Sequence, residues 1–118
     1  TAAVFRFEGQ VMVVSPGHGP CYRCLFEAPP PHGMVPSSSV TGILGVVPGG
    51  IGTIQATEVL KVIMGIGNPL RGSLLLWNAL DMQFRKIKVP RNPECALCGD
   101  HPTITDLMDY EQYCSVNR

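Results

Sequence analysis

Two Cys-x-x-Cys pairs are the residues of this 118-residue chain whose types and spacing best suit chemistry. Cys21 and Cys24 lie in "GPCYRCL", and Cys95 and Cys98 lie in "NPECALCG". Four thiolates satisfy a tetrahedral zinc ion, each pair offering two sulfurs from one tight turn and the two turns closing the shell. The insert between the pairs is far longer than in a zinc ribbon, which weakens the bare pattern. The turn formers Gly19-Pro20, Asn92-Pro93 and Gly99 strengthen it, because the backbone amides of such knuckles point at sulfur. A redox reading would make each pair a dithiol at the start of a helix. The prolines that follow "CYRC" leave no room for a long helix there. Four unconnected thiols are the third reading. Zinc is the preferred one, and a closed four-cysteine site is structural, since no coordination position stays open for water. It would join the end of the first strand to the segment after the last.

The other candidates are weaker. The fifth cysteine, Cys114, reads as a small apolar filler or a reactive thiol. An odd cysteine count without a secretory signal argues against a disulfide framework, and a cytoplasmic location is expected. His18, His32 and His101 fall in turn-rich segments, and their spacing suggests no Ser-His-Asp arrangement. The cluster "GILGVVPGGIG" contains neither Gly-x-Gly-x-x-Gly nor a Walker sequence, so close backbone approach and a helix start are expected instead of a phosphate loop.

The elements that must position these residues follow from patterning. The chain is 45% hydrophobic and 15% charged with zero formal net charge. A packed core is feasible, and neither nucleic acid nor an anionic membrane is indicated as partner. The apolar runs are short and broken by Gly and Pro, below the roughly 18 residues of a membrane helix. A strand is expected over about Phe5–Ser15, then a turn at Gly17–Pro20 and a loop at Pro29–Ser39. "GIGTIQATEVLKVIMGIG" reads as one helix capped by Thr53 and stopped by Gly65 or Gly67. Ser73–Trp77 reads as a strand buried on both faces, Asn78–Asp81 as its connection, and Met82–Val89 as a strand with one wet face. A short helix could start at Thr105. The N-terminus opens straight into an apolar segment at Thr1, not at an initiator methionine, so a longer parent protein is expected.

With these residues laid out, the sequence resembles the C-terminal half of the MoeB/ThiF family, adenylyltransferases related to ubiquitin-activating enzymes. The matching stretches are "FRFEGQ", "GPCYRCLF", "GILGVVPGGIGTIQATEVLK", "GSLLLWNALDMQFRKIKV" and "NPECALCG". "PTITDLMDYEQYC" resembles the link in longer, MoeZ-type members that carry a rhodanese domain. The resemblance implies an α/β fold: the C-terminal half of a ThiF-like mixed sheet with late antiparallel strands, one main helix and a four-Cys zinc site at Cys21, Cys24, Cys95 and Cys98. It divides the chain into residues 1–102 of that domain and a linker, 103–118. It implies a parent enzyme that uses MgATP to adenylate the C-terminal glycine of a ubiquitin-like sulfur carrier for thiocarboxylate formation. That enzyme would be a homodimer needing the missing N-terminal, nucleotide-binding half, so the isolated chain is expected to be inactive.

One departure concerns chemistry. Aligning on "GILG" puts Ser38 where many members carry a cysteine. A hydroxyl is a far poorer nucleophile than a thiolate and cannot take a persulfide. Either the enzyme only adenylates, another cysteine carries the sulfur, or the serine was introduced. Ser37, Ser38 and Ser39 then remain candidates for the loop that crosses the carrier tail, or form a plain polar loop. The alternative from another class is a non-catalytic, zinc-stabilised protein-interaction module.

Overall fold

A computed structural model describes residues 1–31, 34, 36 and 38–107, with Ser38 described by its backbone alone. Its sheet is an antiparallel meander of four strands in the order β1 (Ala2–Phe5), β2 (Glu8–Met12), β3 (Ser73–Asn78) and β4 (Gln83–Lys88). Between β2 and β3 the described residues form three helices: α1 (Tyr22–Leu25), α2 (Ser38–Thr41) and α3 (Val46–Met64). No helix among the described residues is long and apolar enough to cross a membrane.

The single strand expected over Phe5–Ser15 is instead two strands folded into a hairpin. Phe5 pairs with Glu8 across a two-residue turn in which Arg6 takes a φ of 52°. Arginine carries no turn signal, and tight hairpins usually use Gly or Asn there. Tertiary contacts hold the turn: Leu44 donates its amide to the Arg6 carbonyl at 3.0 Å, and Ala79 donates to the Phe7 carbonyl at 2.9 Å.

α3 starts seven residues before the expected cap, at Val46, with Gly45 as N-cap. Pro48 fits because the first turn of a helix leaves its N–H groups unpaired anyway. Thr53 lies inside the helix, and its hydroxyl donates to the Gly49 carbonyl at 3.0 Å. The expected stop holds: Gly65 adopts φ 65°, ψ 29°, the left-handed cap that glycine takes without a Cβ penalty. Close backbone approach is also realised, since a Cβ at Gly50 would lie 2.7 Å from the Trp77 ring.

Successive side chains of a strand point to opposite faces, and adjacent residues of β2 accordingly serve two cores. Val11 packs with Val47 and Ile51 of α3, joined by Val4, Ile54 and Trp77. Met12 packs with Leu74 and Val89, joined by Val14, Leu25 and Leu76. Leu25 borders the first cysteine pair, and Val89 precedes the second, so this cluster ties both cysteine segments to the sheet.

The cover is thin elsewhere. β3 is not buried on both faces: only Leu74 is fully buried, and its neighbours are half-covered. β4 is exposed on both faces rather than one, because it is an edge strand and no other element of the described residues packs over it. Phe84 on β4 is 50% exposed and stacks on Trp77 with ring centroids 5.5 Å apart. The outer side of α3 is apolar as well, with Ile63 74% and Met64 60% exposed.

Candidate metal centre

The first cysteine pair sits on α1, a single helical turn. Cys21 precedes it in extended conformation, and the Cys24 amide donates to the Cys21 carbonyl at 3.1 Å. A helix this short offers none of the sustained dipole of a thioredoxin-like motif. The second pair sits on a compact turn built from Asn92 to Asp100. The Asn92 side chain accepts from the Glu94 amide at 2.9 Å, and its carbonyl accepts from the Cys95 amide at 3.1 Å. The Gly99 amide returns to the Cys95 carbonyl at 2.8 Å, and the Asp100 amide to the Pro93 carbonyl at 2.7 Å. Glycine is needed at 99, because a Cβ there would run into the Pro93 and Cys95 backbone.

The two turns meet. All four sulfurs lie within 4.8 Å of one another. Sγ–Sγ separations are 3.9 Å for Cys21–Cys24, 3.6 Å for Cys21–Cys95 and 3.4 Å for Cys24–Cys98. A Zn–S bond of ~2.3 Å makes the edges of a tetrahedron about 3.8 Å. The four sulfurs therefore have the donor chemistry and the spacing for one metal ion. The Asn92 amide also points at the Cys24 sulfur at 3.4 Å, the N–H···S contact that stabilises thiolate.

Cys21 and Cys95 are buried and Cys24 and Cys98 half-buried. Burial pushes the Cys21 thiol up to about 12, aided by hydrogen bonds from Cys98 and Cys95. Burial, chiefly, also raises Cys98. At Cys95 the same desolvation is outweighed by the backbone amides of Cys98 and Leu97 and by contact with Cys21 and Cys24, which bring it down to about 6. Burial thus favours the neutral thiol at Cys21 and Cys98, while the backbone amides around Cys95 favour its thiolate.

The remaining candidates are not gathered here. Ser38 begins α2 and Ser39 is exposed on it, while Ser37 lies outside the described residues. The segment after α2 is tied to the opposite end of the sheet, where Ile43 bridges to Arg6 at the hairpin turn. His18 and His101 are exposed; His32 and Cys114 lie outside the described residues. Thr105 starts no helix up to residue 107. Sequence reasoning passed over Arg91, whose guanidinium grips the second cysteine turn. A lone arginine beside a cysteine motif carries no periodicity or spacing signal that would single it out.

Comparison with known proteins places this geometry. A family model described as the ThiF family matches residues 1–97. The chain is 50% identical over 97% of its length to the sulfur carrier protein adenylyltransferase of Thermus thermophilus. It is 50% identical over 97% to the adenylyltransferase and sulfurtransferase MOCS3 of Sus scrofa, and 44% over 98% to the SAMP-activating enzyme E1 of Haloferax volcanii. It spans 44%, 25% and 43% of those relatives' own lengths, less than half of each. Among solved structures, E. coli MccB superposes with a TM-score of 0.68 at 16% identity, covering 92% of this chain and 34% of that one. MccB crystallised with MccA-N7isoASN gives 0.67 at 17% identity, covering 83% and 32%. The antiparallel sheet, the long helix α3 and the family match over residues 1–97 converge on one conclusion: the chain belongs to the ThiF family.

Proposed function

We propose that residues 1–102 are the C-terminal part of the adenylation domain of a longer enzyme. That enzyme would activate the C-terminal glycine of a ubiquitin-like sulfur carrier for thiocarboxylate formation. Residues 103–118 would lead on toward a rhodanese domain. The observation that carries the reading is 50% identity across nearly the whole chain to an enzyme named sulfur carrier protein adenylyltransferase. The reading expects a cytoplasmic homodimer.

Within that enzyme this segment's own work is positional. When bound, zinc at Cys21, Cys24, Cys95 and Cys98 would supply a cross-link between α1 and the chain after β4, with no open position for catalysis. The sulfurs fit that ion in type and spacing. MgATP is a different matter. No glycine-rich phosphate loop of either common pattern occurs in the sequence, so the nucleotide belongs to the rest of the enzyme. The exposed apolar surface of α3 supports the same division, since a patch of this kind marks a surface that another part of the protein covers. Ser38 stays the candidate at the family's cysteine position, with Ser37 and Ser39 beside it in the segment that would meet the carrier tail.

ATP–pyrophosphate exchange tests the reading. The full gene product should show exchange that depends on a carrier with a C-terminal glycine, and the 118-residue chain alone should show none. A full-length protein without carrier-dependent exchange would refute the activity and favour the interaction module. Exchange by the chain alone would refute the division. Unchanged thiocarboxylate output from Ser38→Ala in the full protein would remove that residue as a catalytic candidate.

A further inference from the structure

We propose that Arg91 is a positioning residue of the metal centre, locking the second cysteine turn against the first and setting how tightly zinc is held; this rests on the zinc reading above. The backbone leading to Arg91 is fixed by the sheet. Val89 is buried against Met12 and Leu74, and its amide donates to the Gly72 carbonyl at 2.9 Å. From that anchor the Arg91 guanidinium reaches over the second turn. Its Nε and Nη2 both donate to the Cys98 carbonyl, at 3.2 and 2.7 Å, and Nη2 also donates to Asp100 Oδ1 at 2.9 Å.

The next residue completes the link. The Asn92 amide points at the Cys24 sulfur at 3.4 Å. Two consecutive residues therefore hold both cysteine pairs, one through the carbonyl of Cys98 and the other through the sulfur of Cys24. The sulfurs they serve, Cys24 and Cys98, are themselves 3.4 Å apart across the two turns. Four thiolates around one zinc ion leave a net charge of about −2 on the centre, and a neighbouring cation offsets it.

An exposed Arg–Asp pair by itself contributes little. What sets Arg91 apart is the grip of two N–H groups on the carbonyl of a ligand residue. That geometry requires the planar fork of arginine, and lysine can supply only the charge.

The test is zinc dissociation from the zinc-loaded full-length protein into excess metallochromic chelator. Circular dichroism checks the folding of each variant, and the cobalt(II) spectrum reports the four-sulfur shell. Arg91→Ala should release zinc about 10- to 100-fold faster, the usual effect of removing a group that orients a metal ligand. Its cobalt spectrum should keep the tetrathiolate bands. Arg91→Lys should recover part of the loss, and Asp100→Asn should speed release by about 2- to 5-fold. Release from Arg91→Ala within about 2-fold of wild type, well below the usual range, would overturn the assignment. If Arg91→Ala does not fold, the two milder variants decide, and wild-type release from both overturns it. A full-length wild-type protein that binds no zinc would remove the metal reading and this assignment together. A full-length protein that binds zinc with all variants unaffected would remove the assignment alone.

Discussion

Gly50 and Gly52 sit two positions apart in α3, and substituting each by alanine should move stability in opposite directions. A glycine inside a helix costs roughly 0.5–1 kcal/mol relative to alanine. At Gly52 a Cβ meets nothing beyond its own helix backbone within 4 Å among the described residues, so Gly52→Ala should realise that gain of about 0.5–1 kcal/mol. At Gly50 the same Cβ would lie 2.7 Å from Trp77 Cζ3 and 2.9 Å from Cη2, against ordinary contacts of about 3.5–4.0 Å. Relief requires Trp77 to tilt, but its ring is stacked on Phe84 with an interplanar angle of 2° and packed against the core of Val11, Val47 and Ile51. Overpacking of this kind costs about 1–3 kcal/mol. After the propensity gain, Gly50→Ala should be destabilised by up to roughly 2 kcal/mol. Urea denaturation of the zinc-loaded chain, followed by the fluorescence of the sole tryptophan, Trp77, measures both variants. Circular dichroism on a Trp77→Leu background completes the cycle, and the Gly50 penalty should shrink there. Gly50→Ala matching Gly52→Ala in stability, with no coupling to Trp77, would refute the packing argument.

Serine at Cys21 or Cys95 should abolish stoichiometric zinc, read as a fall from one ion per chain by elemental analysis, with loss of thermal stability because structural zinc contributes to folding. Zinc affinity should rise with pH. Cys21, at about 12, and Cys98, also raised, hold protons that the metal must displace, so acidification releases it, as titration with a competing chelator would show. Glu58 is buried, pairs with Lys61 and accepts the Leu70 amide at 2.8 Å. Glu58→Ala leaves that amide without its acceptor and should cost about 1–3 kcal/mol in denaturation. Glu58→Gln, which keeps an acceptor oxygen, should cost less.

The two Cys-x-x-Cys pairs, the glycine stop of α3 and the strands β3 and β4 with their connection were legible in the chain because each is a local pattern. A ligand spacing, a residue that tolerates positive φ and a run of β-forming side chains need no distant partner to be recognised. The Asn78 turn was equally local: its side chain accepts the Leu80 and Asp81 amides at 2.9 and 3.2 Å. The resemblance carried in "FRFEGQ" and its companion stretches likewise needed only the order of residues, and the family match over residues 1–97 bears it out.

Tertiary structure decided the rest. Arg6 turns the first strand back on itself because Leu44 and Ala79 supply amides from far along the chain. α3 begins at Val46, through Pro48 and its glycines, because Trp77 and the sheet reward a helix without side chains at the contact. The burial of β3 and β4 depended on what covers them, which periodicity does not report. The residues between Cys24 and Cys95 carry no record that these sulfurs meet. The sequence alone determined which residues could bind a metal and to which family they point. The antiparallel sheet brings the ends of β2 and β4 to the same side, flanking the start of β3, and only that placement, with Arg91 and Asn92 bridging the two turns, makes four distant thiols one centre.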